Sequence, residues 1–105
     1  MAEKVYSISE IQEKLHPIFK SYAISKAYVF GSYSRGEATE KSDIDILVEP
    51  DEGFRPQRVC GILEEAMDAL DKEVDVYSIK EFKSNSEILP EIMKDRVMLY
   101  DKSAR

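Results

Sequence analysis

One stretch of this chain combines residue types and spacing that can do chemistry: Gly31-Ser32-Tyr33-Ser34-Arg35-Gly36, six residues, then Asp43-Ile44-Asp45. It lies between two apolar runs, Tyr28-Val29-Phe30 and Ile46-Leu47-Val48. Gly31 lacks a Cβ, so its backbone can turn tightly and come close to a ligand, and Ser32 offers a hydroxyl and a neighbouring N–H to phosphate oxygens. Asp43 and Asp45, two residues apart in a strand-like segment, send both carboxylates from one face about 6.6 Å apart along the chain. At that separation they repel by roughly 2.5 kcal/mol at an effective dielectric near 20. A bound Mg²⁺ reverses the penalty, because it prefers hard oxygen ligands, usually one or two carboxylates with substrate phosphates. The pattern therefore reads as a phosphate cradle beside a pair of metal-binding carboxylates.

A site of this kind needs strands on either side of its turn. Residues 27–30 read as a short, aromatic, β-prone strand ending at Gly31, residues 32–36 as a turn or one short helix, and residues 43–49 as a second strand. The link between them is about the minimum for a parallel crossover, so antiparallel pairing is the easier closure. Before them, Ile8, Ile11, Leu15, Ile18, Phe19 and Tyr22 follow a helical period, and Ser7 with Glu10 can form a capping box. His16 and Pro17 fall inside that helix, and the proline is expected to bend or shorten it unless the chain restarts there. Residues 50–56 are loop by composition. Val59, Ile62, Leu63, Ala66, Met67 and Leu70 then mark a helix that packs flat on the sheet. Residues 74–79 read as a strand with Glu73, Asp75 and Tyr77 on one face and Val74 and Val76 on the other. Ile88, Leu89, Ile92 and Met93 suggest a short helix, and residues 97–100 a closing strand.

At 105 residues the chain is expected to be a single domain spanning 1–105, with room for one core and none for a separate substrate-gripping domain. An acceptor must then bring its own docking surface, which points to a partner protein. The net charge of −6, from 15 basic and 21 acidic residues, argues against a nucleic-acid partner. Cys60 is the single cysteine, so no intrachain disulfide forms, and its apolar-periodic setting predicts a small buried hydrophobe. No signal-peptide pattern or membrane-length apolar run is present, and a cytoplasmic location is expected.

Gly31-Ser32, ten residues, then Asp43-x-Asp45 resembles the signature of the DNA polymerase β-like nucleotidyltransferase superfamily. With Arg35-Gly36, Ser42 and the short chain, it is similar to the minimal nucleotidyltransferases (MNT) in particular, the antitoxin members of HEPN/MNT toxin–antitoxin pairs. The resemblance implies an α/β (α+β) fold with a small mixed sheet flanked by helices. It implies an enzyme that moves AMP from ATP to a hydroxyl, tyrosine foremost, on a cognate HEPN toxin, with two Mg²⁺ ions. It also implies a third acid, for which Asp75 is the candidate and Glu73 the fallback; the alternative for Asp75 is a solvated strand face. Asp43, Asp45 and Asp75 are thus the expected catalytic and metal-binding residues, and Gly31, Ser32 and Arg35 the expected nucleotide contacts. Arg35 alternatively pairs on the surface with Glu37 or Glu40. Ser42 can initiate its strand through a local turn, Ser34 and Tyr33 have no assigned chemistry, and His16 reads as a helix-face residue. Two other functions stay open: a non-catalytic antitoxin that masks its partner, or a nucleotidyltransferase acting on RNA or a small molecule. A homo- or hetero-oligomer is expected.

Overall fold

The computed structural model describes residues 5–79 and 88–103. Helix α1 (Ile8–Ser21) starts where the sequence indicates: Ser7 Oγ accepts the Glu10 N–H at 3.1 Å, and Glu10 Oε1 accepts the Ser7 N–H at 2.9 Å. Pro17 neither ends nor restarts the helix, which runs through it. The packing of Ile11, Leu15, Ile18 and Phe19 explains this tolerance, since each is buried and such a side chain contributes about 1.5–3 kcal/mol.

Four strands, β1 (Ile24–Phe30), β2 (Ile44–Pro50), β3 (Val74–Ser78) and β4 (Val97–Asp101), form one sheet in the order β3-β2-β1-β4. β1 is antiparallel to β2 and β4, as the short link between β1 and β2 requires, while β2 and β3 are parallel. Helix α2 (Val59–Leu70) provides the crossover between the parallel pair, and α3 (Ile88–Asp95) precedes β4. The sheet is mixed and flanked by helices, as expected. β1 begins three residues before the pattern suggests, because the register shifts between Ile24 and Lys26 and this irregularity hides the period of two.

Alternation along β2 divides the molecule. Ile44, Ile46 and Val48 enter the main core with α1 and α2, and Leu47 points the other way into a smaller cluster with Tyr28 and Ile92. On α2 the buried residues are Ile62, Ala66 and Leu70. Cys60 is exposed, which corrects the expectation of a buried thiol: it lies about 200° around the helix from Ile62 and so faces away from the buried stripe. Among the described residues no helix is long and apolar enough to cross a membrane.

Candidate active site

The end of β1 leads directly into a 3₁₀ turn, Gly31–Tyr33. Gly31 has φ +76°, a conformation that costs an L side chain about 1–2 kcal/mol. Its carbonyl accepts the Ser34 N–H at 3.1 Å, the Arg35 N–H at 3.3 Å and the Ser34 hydroxyl at 2.8 Å. The Glu37 N–H closes onto the Ser32 carbonyl at 2.9 Å. Ser34 thus holds the turn, and Ser32 occupies its middle with a half-exposed side chain. Further on, Ser42 Oγ accepts the Thr39 N–H at 2.9 Å while its own N–H returns to the Thr39 carbonyl at 3.0 Å, a local turn that delivers the chain into β2.

The register places the acids. Phe30 lies opposite Asp45, and Asp45 lies opposite Asp75, so one row crosses β1, β2 and β3. Both aspartates stand on the sheet face shared by Leu47, away from the main core. Asp43 precedes the first paired residue of β2 and is exposed, as is Asp75. Asp45 is half-buried, and its pKa is pushed up to about 6, first by desolvation and then by the charges of Asp75 and Asp43, with Arg35 opposing. A Cβ on Gly31 would stand 2.6 Å from Asp45 Oδ2, so the glycine lets the carboxylate lie against the turn.

The charges of Asp75 and Asp43 both act on Asp45 beside the Gly31–Ser32 turn, and carboxylate and hydroxyl oxygens are the donor type a hard divalent cation prefers. Among the described residues no three acidic, histidine or cysteine side chains are grouped so that they could hold a metal ion. Asp45 and Asp75 are brought directly opposite, and Asp43 flanks them.

Arg35 is exposed, with Nε 3.0 Å from Glu37 Oε1 and a terminal nitrogen 3.8 Å from Asp95 Oδ2. The surface pair with Glu37 is therefore formed. His16 is exposed on α1 with its ring edge-on to Tyr100, consistent with a helix-face residue. Glu73 is exposed, and its carbonyl accepts the Ile44 N–H at 3.1 Å, joining the starts of β2 and β3. Tyr33 is buried under the turn and packs in the main core. Sequence reasoning did not associate Phe30 with Tyr77, whose rings meet across β2 with centroids 5.8 Å apart. Alternation put Tyr77 on the face of Asp75, but only the register of β1 against β2 brings Phe30 beside it.

The small mixed sheet, with Asp45 opposite Asp75 beside the Gly31–Ser32 turn, fits the nucleotidyltransferase class, and the comparisons with known proteins show that class. The family model described as "Polymerase beta, Nucleotidyltransferase" matches residues 13–105, and the chain belongs to that family. It is 39% identical over 92 residues to "Putative protein adenylyltransferase MJ0435" of Methanocaldococcus jannaschii, covering 88% of this chain and 91% of that protein. Its fold is similar to a crystal structure of a toxin–antitoxin with AMP-PNP, with TM-score 0.70, 24% identity, and coverage of 88% of this chain and 74% of that one. It is also similar to a structure of a tri-AMPylated Shewanella oneidensis HEPN toxin in complex with MNT antitoxin, with TM-score 0.57, 23% identity, and coverage of 88% and 73%. These two likenesses carry the fold; the family model and the M. jannaschii relative carry the enzyme class, nucleotidyltransferase.

Proposed function

We propose that this chain transfers AMP from ATP to a tyrosine hydroxyl of a HEPN-domain partner in the presence of Mg²⁺, and so acts as the antitoxin of a pair. The observation that carries the reading is the contact of Asp45 with the Gly31 turn, opposite Asp75 in the neighbouring strand. The adenylyltransferase name of the M. jannaschii relative supports the donor, and the AMPylated HEPN toxin in the Shewanella complex supports the acceptor.

Each residue has a role in the proposed reaction. The Gly31 turn and the Ser32 hydroxyl hold the β and γ phosphates and orient the leaving pyrophosphate. Asp43, Asp45 and Asp75 would hold Mg²⁺, which when bound supplies charge neutralisation for the phosphates and the developing transition state. The acceptor oxygen forms a bond to the α-phosphorus as the bridging bond to the β-phosphate breaks and pyrophosphate leaves with the electron pair. The hydroxyl proton passes to water at the exposed edge beside Asp75. No histidine is needed, and His16 takes no part.

The test is to mix the purified chain, a HEPN-domain protein from the same genome, ATP and Mg²⁺, and to weigh the partner. An increase by one or more AMP units is expected, carried on tyrosine. A tight complex whose partner keeps its mass would replace catalysis with masking.

A further inference from the structure

The row Phe30–Asp45–Asp75 crosses three adjacent strands, and Gly31 follows Phe30 at its β1 end. On the proposed function, which this inference presupposes, the sheet lays out the reaction in sequence. Pyrophosphate departs beside Gly31 and Ser32 at β1, and the α-phosphorus is held beside Asp45 on β2. In-line displacement brings the nucleophile from the side opposite the leaving group, which is β3. β3 is the outer strand of the described sheet, and its Asp75 is exposed.

Tyr77 is the next residue on the same face of β3, one pleat beyond Asp75. Its ring is half-buried and leans across β2 onto Phe30, with centroids 5.8 Å apart and planes 50° apart. The pair is backed by the cluster of Tyr28, Leu47 and Ile92. A braced aromatic surface therefore stands beside the acid where the acceptor must enter. Offset or edge contact with a second ring favours an aromatic acceptor over an aliphatic hydroxyl of the same reactivity. We propose that Tyr77, braced by Phe30, is the positioning residue that seats the ring of a phenolic acceptor, so that this face of β3 selects tyrosine over serine or threonine.

The experiment uses the full chain and two small probes, N-acetyl-tyrosinamide and N-acetyl-serinamide, followed by amide NMR. The tyrosine probe should shift residues 75–78 and Phe30, and the serine probe should leave them in place. Tyr77→Leu keeps bulk without a ring and should weaken the tyrosine probe about three- to tenfold, whereas Tyr77→Phe should retain it. Equal binding of both probes, or unchanged binding in Tyr77→Leu, overturns the proposal. In the transfer assay Tyr77→Leu should raise KM for the partner by a similar factor with kcat little changed, and Tyr77→Phe should restore it. Transfer by the wild type with no such rise in the leucine variant removes Tyr77 from acceptor binding and leaves the proposed function standing. Absence of any AMP transfer by the wild type defeats the proposed function, and the probe binding then still judges Tyr77.

Discussion

Gly31 and Asp45 are in mutual contact: a Cβ on the glycine would lie 2.6 Å from the Asp45 carboxylate oxygen. Gly31→Ala therefore meets two obstacles, the strain of a side chain at φ +76° and a carboxylate that must swing away. The strain destabilises the fold by about 1–2 kcal/mol. Transfer should fall further, by about a hundredfold, because displacing a reacting group by an ångström costs that much. Urea unfolding beside an AMP-transfer assay separates the two effects. A variant that loses activity only in proportion to its unfolded fraction would deny the contact a role in catalysis.

The same carboxylate sets a pH dependence of stability. Asp45 has its folded pKa raised to about 6, above an unfolded value near 3.9. An acid raised in this way favours the folded state fully below the unfolded pKa, and that contribution is lost as pH rises through about 4 to 6. The full shift corresponds to about 3 kcal/mol, and partial exposure reduces it to about 1–2. Asp45→Asn should therefore gain about 1–2 kcal/mol at pH 7 and show little gain at pH 4. Urea midpoints measured across that range, with m constant, give the difference directly.

How much of this was readable beforehand depends on whether one period carried the signal. α1 and α2 repeat their apolar residues at helical spacing, and the Ser7–Glu10 box marks a start, so both were legible. The antiparallel β1–β2 pair followed from the length of its link. The first residues of β1 were not legible, because the irregular register near Lys26 breaks alternation. Cys60 misled because its helix is apolar on more than the buried stripe. Within the site, the spacing of Gly31, Ser32, Asp43 and Asp45 gave the local chemistry. That Asp45 and not Asp43 is the shielded acid, and that Phe30 meets Tyr77 across β2, are consequences of cross-strand register.

Removing any of the three acids should abolish transfer while the chain stays folded. Asp43→Ala and Asp75→Ala each delete an exposed carboxylate whose charge disfavours that of Asp45, so neither should lower stability at pH 7. Mg²⁺ provides an independent reading. A cation that binds only the folded site raises Tm with its concentration, by about 2.7 kcal/mol of stability at a hundred times Kd. The wild type should show this rise and Asp45→Ala should lose it, with EDTA reversing the effect. Equal Mg²⁺ stabilisation of both proteins would place the ion elsewhere.

Pro17 gives a prediction away from the chemistry. It lies in the interior of α1, where it lacks the N–H that would bond to the Glu13 carbonyl and where its ring crowds that carbonyl. The helix nevertheless continues, held by the burial of Leu15, Ile18 and Phe19 around it. Pro17 itself is exposed, so an alanine there removes no core packing. Proline in a helix interior is about 3 kcal/mol worse than alanine, and part of that gain is offset because the unfolded chain becomes freer without the ring. Pro17→Ala should therefore stabilise the protein by about 1–2 kcal/mol in urea, with transfer unaltered because α1 packs on the face opposite Asp45 and Asp75. Destabilisation instead would mean that the proline sets a bend on which the seating of α1 against the sheet depends.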